Sequence, residues 1–287
     1  MTTSSSSKVW LITGAGRGLG RAYVLAALAA GHRVVATVRD ERALDDIAIN
    51  TADTLRVLVL DVSDRAAVVR VVAEAVEAFG RVDVVVNNAG YGLVGAVEEV
   101  SEADVRALLD VNLLGALWVT QAVLPTLRAQ GSGHIVQISS VGGVGAMPFL
   151  GMYNASKWAL EGFSDALAAE VEGFGIRVTI VEPGGFATDW GRGSMRFSRD
   201  HDAYDDVREA AIGTRHTPWP MSDDAGDEGD PAAAAAALLA HVEADAGPRR
   251  LLIGADAPPQ AAAALEQRRI GYVGNAGFIW PGADPKR

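Results

Sequence analysis

Val9-Trp10-Leu11-Ile12-Thr13 runs directly into Gly14-Ala15-Gly16-Arg17-Gly18-Leu19-Gly20, and this passage from apolar run to glycine-rich turn decides the fold. The run reads as a short buried strand, and a helical pattern follows from Gly18 to Ala30, closed by Gly31. Glycines in such a turn let the backbone take positive φ and approach a ligand closely. The helix that follows offers unpaired N–H groups and the positive end of its dipole, which suits a phosphate. The spacing G-x-G-x-x-G fails, because Leu19 stands where its third glycine belongs; Gly14, Gly18 and Gly20 instead match T-G-x-x-x-G-x-G.

Outward from this unit the same alternation continues. Short apolar runs at Arg33–Val38, Leu55–Leu60, Val82–Asn87, His134–Ser139, Arg177–Val181 and Arg250–Ile253 read as strands. Helical patterns over Glu41–Ile49, Asp64–Phe79, Ser101–Ala129 (interrupted near Asn112) and Tyr153–Gly173 separate them. Nearly continuous apolar strands between helices indicate a parallel sheet covered on both faces. Right-handed crossovers then give a doubly wound α/β sheet of Rossmann type, a single domain of about seven strands. Ligands bind beyond the carboxyl ends of such strands, where the polar motifs of this chain fall.

Composition narrows the function. The 287 residues include 25 Lys+Arg against 36 Asp+Glu, a formal charge of −11, which disfavours nucleic-acid and anionic-membrane surfaces. With no cysteine, disulfides, thiolate metal sites and a Cys nucleophile are excluded. His32, His134, His201, His216 and His241 have no metal-ligand spacing, so no metal is expected. The apolar run after Lys8 is too short for a signal-peptide core or a membrane span, which points to a soluble, cytoplasmic protein. The acidic stretch Ser222–Asp230 lacks Ca²⁺-loop spacing and reads as a solvated loop leading into a helix N-terminus.

The second strand ends Val38-Arg39-Asp40. A carboxylate at the strand tip would accept the ribose hydroxyls of NAD, whereas Arg39, with Arg17 in the glycine turn, suits a 2′-phosphate. Asp40 could also reach the ribose, but the balance favours NADP(H) over NAD(H). Tyr153 and Lys157 lie at i and i+4 of a helix, on one face. A phenol with its usual pKa near 10 is a poor acid–base group at neutrality; a neighbouring ammonium favours phenolate, at about 1.36 kcal/mol per pKa unit. Ser140, after the His134–Ser139 strand, can donate to the same substrate oxygen.

Together these motifs resemble the short-chain dehydrogenase/reductase family in its short single-domain branch. Asp61-Val62 is similar to the family's D-V, Asn87-Asn88-Ala89-Gly90 to its N-N-A-G, and Pro183-Gly184-Gly185-Phe186-Ala187-Thr188 to its P-G-x-x-x-T. Ser140 precedes Tyr153 by thirteen positions, the family's separation, which selects it over Ser139. The match spans about residues 8–190, in order.

The resemblance implies roles. Tyr153 would be the general acid in reduction and Lys157 would hold the nicotinamide ribose and lower the Tyr153 pKa. Ser140 would orient the substrate oxygen, and Asn112 would fix a proton-relay water. Gly14, Arg17, Gly18, Leu19 and Gly20 would cradle the phosphates. Asp61 and Val62 would meet adenine, Asn88, Ala89 and Gly90 would line the adenosine ribose, and Pro183, Gly184, Phe186 and Thr188 would hold the carboxamide end. Asn87 reads as a structural tie. A flexible N-terminus (1–7) would precede one catalytic domain (8–287), with a substrate lid at about 184–230 and a tail at about 271–287. Trp190, Met195, Phe197, Tyr204, Trp219 and Met221 in the lid read equally as the lining of an apolar pocket or as the lid's own packing on the core; with Met147, Phe149 and Met152 before Tyr153, the first reading implies an apolar small-molecule substrate. The paired helices Ser101–Ala129 and Tyr153–Gly173 imply a homodimer or homotetramer. The reaction expected is hydride transfer between nicotinamide and a ketone or secondary alcohol. Two alternatives stand beside it: a non-catalytic NADP-binding regulator, which the presence of both Tyr153 and Lys157 disfavours, and a sugar-nucleotide epimerase or dehydratase, which the short stretch after Pro183 disfavours.

Overall fold

The strands are β1 (Val9–Ile12), β2 (Arg33–Val38), β3 (Leu55–Val59), β4 (Val84–Asn87), β5 (Leu93–Val94), β6 (Gly133–Ile138), β7 (Ile176–Pro183), β8 (Arg196–Phe197) and β9 (Arg250–Ile253). Seven of them form one parallel sheet in the order β3-β2-β1-β4-β6-β7-β9. The computed structural model describes residues 7–49, 51, 53–188, 193–218, 229–244 and 246–273. All of the expected flexible N-terminus except Ser7 lies outside these residues, as do Trp190, Trp219, Met221 and the tail beyond Val273.

The helices are α1 (Gly18–Ala29), α2 (Asp45–Ala48), α3 (Arg65–Phe79), α4 (Glu102–Leu109), α5 (Ala116–Gln130), α6 (Gly151–Val171), α7 (Asp205–Ile212), α8 (Pro231–Glu243) and α9 (Ala257–Val273). Successive strand residues point to opposite faces, so each strand feeds two cores. Trp10 and Ile12 pack with Tyr23 and Val24 of α1 and Leu238 of α8 on one face. Leu11 and Val35 pack with Val71 of α3, Leu127 of α5 and Leu167 of α6 on the other. Leu127 has no exposed surface, and burying such a side chain is worth about 1.5–3 kcal/mol.

The chain winds outward through β1, β2 and β3, then crosses back to β4 beside β1. That reversal opens a crevice between the ends of β1 and β4, which Thr13 stitches: its Oγ1 accepts from the N–H groups of Asn88 (3.0 Å) and Ala89 (3.1 Å).

One local reading needs correction. The helix expected over Glu41–Ile49 is a 3-10 turn, Glu41–Leu44, followed by the single-turn α2; the Asp40 side chain caps it by accepting from Arg42 N at 3.0 Å. The interruption expected near Asn112 in the Ser101–Ala129 helix is a π-helical stretch, Asp110–Gly115, which joins α4 to α5 with Asn112 inside it. By length and composition the run Glu102–Gln130 could cross a membrane, and 39% of its most apolar window is buried here. A two-stranded parallel sheet, β5 with β8, was not expected at all.

Candidate active site

Gly14 closes β1 at φ +63°, and an ideal Cβ there would stand 2.8 Å from Ala89 Cα, so only glycine fits the approach of the turn to β4. Asn88 holds the turn in place, its Nδ2 donating to the carbonyls of Thr13 (3.0 Å) and Gly14 (3.1 Å). Asn88 thus builds the cradle before it can line a ribose. Asn87 is the tie expected of it, donating to Thr120 Oγ1 at 3.1 Å. Unlike α3, α4 and α8, which Asp64, Ser101 and Asp230 cap, α1 begins with no side-chain cap and no acidic residue in its first turn. Its N–H groups are left for an outside acceptor.

One cavity of about 1130 Å³ runs from this turn to Tyr153. Gly14, Arg17, Gly18, Leu19, Gly20, Arg39, Asp61, Val62, Asn88, Ala89, Gly90, Ser140, Tyr153, Lys157, Pro183, Gly184, Phe186 and Thr188 all line it. Residues scattered over most of the chain therefore meet at one crevice. Asn112 does not line it. It is 1% exposed, with Oδ1 accepting from Tyr91 N (3.0 Å) and Nδ2 donating to Tyr91 O (2.9 Å) and Ser156 Oγ (3.1 Å). Its side chain ties the strand-β4 exit to α6 instead of facing the cavity. Gly90 lies close to both Asn112 and Lys157: a Cβ there would stand 3.2 Å from Asn112 Oδ1 and 3.6 Å from Lys157 Nζ.

At the far end, Ser140 begins the turn after β6, its Oγ accepting from Gly142 N at 3.0 Å, and its hydroxyl is hydrogen-bonded to the Tyr153 phenol. Ser139 differs: its Oγ is buried without a partner in the described structure and faces Gly143. Lys157 Nζ donates to Ile138 O at 2.8 Å and lies 5.9 Å from the Tyr153 ring centre. Burial pushes the Tyr153 phenol up to about 12, with the Ser140 bond opposing, and pulls Lys157 down to about 8, with the Glu161 carboxylate opposing. The lowered phenol pKa expected from the Lys157 spacing is therefore overturned for the protein alone. Removing a phenolate from water costs more than the Ser140 hydrogen bond returns.

At the glycine end, Arg17 and Arg39 are exposed on the cavity rim, and Arg39 makes no ion pair among the described residues. The Asp61 carboxyl sits below its usual range because Ser63 donates to it, with Arg39 adding a smaller pull. The donor set fits a dinucleotide: a side-chain-free floor, an uncapped helix start, two arginines at one end and Ser140, Tyr153 and Lys157 at the other. Residues not singled out from sequence also line the cavity, among them Gly16, Ser63, Tyr91, Asp110 and Arg196. Tyr91 directly follows Asn87–Gly90, a signal that was present; Arg196, over the Tyr91 ring at 4.8 Å, sits in a segment with no motif.

Known proteins agree with this geometry. The family described as short chain dehydrogenase matches residues 8–197. "Oxidoreductase BOA17" of Botryotinia fuckeliana is 42% identical over 263 residues, covering 91% of this chain and 93% of that protein. A short-chain dehydrogenase from Streptomyces avermitilis superposes with a TM-score of 0.84 at 39% identity, over 96% of this chain and 98% of that one. An alcohol dehydrogenase from Thermococcus sibiricus complexed with 5-hydroxy-NADP (TM-score 0.70, 25% identity, 87% and 97% covered) shares the fold. So does a Burkholderia phymatum member in complex with NAD (0.73, 25%, 97% and 97%). The chain belongs to the short-chain dehydrogenase family and is a nicotinamide-dependent oxidoreductase.

Proposed function

We propose that this oxidoreductase is an NADP(H)-dependent carbonyl reductase/alcohol dehydrogenase acting on apolar ketones and secondary alcohols. The observation that carries the reading is the contact of Ser140 with Tyr153 above Lys157, at the end of a cavity whose opposite rim bears Arg17 and Arg39. A bound nicotinamide supplies or accepts the hydride, and the protein's part is to place a carbonyl carbon within about 3–3.5 Å of it.

The Ser140 hydroxyl donates to the substrate oxygen and orients it. Tyr153 gives its proton to that oxygen in reduction and takes it back in oxidation; a buried phenol with a raised pKa starts protonated, as reduction requires. Lys157 holds the nicotinamide ribose hydroxyls and, as a cation beneath the phenol, offsets the charge left when the proton departs. Phe186 and Thr188 hold the carboxamide end, and Asp61 and Val62 the adenine. Arg39 and Arg17 take the 2′-phosphate, because Asp40, the competing carboxylate, caps the turn at Glu41–Leu44. Met195, which packs in the Tyr153 cluster and also lines the cavity, supports an apolar substrate. Oligomerisation through α4–α5 and α6, and a lid over about 184–230 within one catalytic domain, belong to the same reading.

A panel of ketones and alcohols followed by NADPH absorbance, with NADH in parallel, tests it. Turnover of apolar ketones with NADPH preferred is the expected result; turnover confined to small charged ketoacids, or preference for NADH, would reject it.

A further inference from the structure

Arg208 of α7 has no exposed surface, although it lies in the segment that follows the catalytic motifs. Its Nη2 bonds the Glu99 carboxylate and lies 3.6 Å from Asp200 Oδ1; its Nη1 donates to Asp205 Oδ1 (3.1 Å) and to Arg215 O (2.5 Å). Glu99 is as deeply placed, its side chain 1% exposed, and accepts from the N–H groups of Ala96 and His201, each at 2.7 Å.

The guanidinium also lies over the Phe149 ring, 5.5 Å from its centre. Among the described residues Phe149 is the one non-glycine with a left-handed backbone, φ +63°, and its carbonyl accepts from Gly95 N at 2.8 Å. Leu150 follows it and leads into α6, whose first turn carries Tyr153. One cation thus joins the 95–99 turn, helix α7 and the entry to the catalytic helix. β8 adds its own link, pairing Val94 with Phe197.

A buried ion pair is a poor means of gaining stability, since apolar residues of similar volume often do as well or better. What such a pair supplies is one geometry, because a buried charge tolerates no misplacement of its partner. A φ of +63° at a phenylalanine likewise persists only where surrounding contacts hold it.

We propose that Arg208 is a positioning residue for the proton donor: through Phe149 and Glu99 it fixes the buried apolar wall Val94–Phe149–Leu150 on which Tyr153 packs, and so sets which ketones meet its phenol productively. This rests on the reading of Tyr153 as proton donor to an apolar ketone.

The test compares wild type with Arg208→Met, Arg208→Lys and the double variant Glu99→Met/Arg208→Met. The measurements are NADPH-dependent reduction of acetophenone and of acetone, NADPH affinity by fluorescence, and amide hydrogen exchange over residues 94–99 and 149–154. Arg208→Met is expected to raise KM for acetophenone at least tenfold, with NADPH affinity and acetone kcat/KM within about threefold of wild type. Exchange should quicken in both segments, and Arg208→Lys should recover part of the KM. If Arg208→Met does not fold, the double variant, which removes the buried Glu99 carboxylate together with its partner, carries the same expectation. An unchanged acetophenone KM, equal losses on both ketones, or unchanged exchange in 149–154 would overturn the proposal. Failure of the wild type on every ketone would instead reject the proposed reaction, while the exchange data would still decide whether Arg208 holds the wall.

Discussion

The ammonium of Lys157 donates to the main-chain carbonyl of Ile138 at 2.8 Å, so a buried cation on α6 is anchored to the end of β6 directly beneath the cavity. Because burial brings Lys157 down to about 8, its charge is complete near pH 6.5 and falls away above pH 8. NADPH affinity should therefore be flat below neutrality and weaken above pH 8. Lys157→Met should bind at least tenfold more weakly near neutrality, consistent with a charge-assisted bond of about 1.5–3 kcal/mol, and lose that pH dependence. Fluorescence titration across pH 6–10 measures both; a wild-type affinity independent of pH would contradict the role given to Lys157.

The proposed preference for NADP(H) is tested at Arg39. Exposed at the rim and paired with no carboxylate among the described residues, it has its donors available to a 2′-phosphate. Arg39→Asp should lower the NADP/NAD ratio of kcat/KM by about 10–100-fold, the worth of one or two charge-assisted bonds lost plus repulsion gained. An unmoved ratio would show that the phosphate is held elsewhere.

Gly14→Ala tests the cradle. The added Cβ meets Ala89 Cα at 2.8 Å and forces an L-residue to hold φ +63°, a strain of about 1–2 kcal/mol before any shift of β4. NADPH affinity should fall at least tenfold and Tm should drop by a few degrees. An alanine variant with wild-type affinity would mean that the turn does not touch the cofactor.

A different pair of residues predicts a loss of stability in acid. His134 Nε2 and His241 Nε2 both bond Thr179 Oγ1, at 2.8 and 2.9 Å, beneath the sheet. Burial pulls His134 down to about 3 from 6.5, so the unfolded chain binds the extra proton between those values. Its contribution is complete above pH 6.5 and is lost as pH falls toward 3, with a limiting slope of about 1.4 kcal/mol per pH unit. Glu182, pushed by burial from 4.5 to about 7, works in the opposite direction, losing stability as pH rises through that window. His134→Gln isolates the histidine. Its urea midpoint should fall less than that of wild type between pH 7 and pH 5, and equal falls would refute the assignment.

Much of the sheet was legible because parallel strands are short apolar runs and the glycine turn punctuates the first of them. All seven main-sheet strands were read, most within a residue or two of their observed bounds. β5 and β8 were not, since two residues each carry no periodicity and pair only across more than a hundred positions. Helix α7 was missed for a related reason. Its sequence is strongly charged, and Arg208 becomes an interior residue only through Glu99, far away in the chain. Most cavity-lining residues were readable as motifs because those motifs follow strand ends, and Tyr153 and Lys157 because they stand one turn apart on α6. Spacing could not reveal burial, so the phenol pKa was read in the wrong direction, and the bonds that tie Asn112 to Tyr91 and Ser156 leave no signal in the sequence.

The most direct measurement is NADPH-dependent ketone reduction by Tyr153→Phe, with NADPH affinity determined on the same preparation. The account predicts affinity within a few-fold of wild type and turnover reduced by about 10²–10⁴, the usual worth of a positioned general acid. Turnover equal to wild type would show that the proton comes from another group.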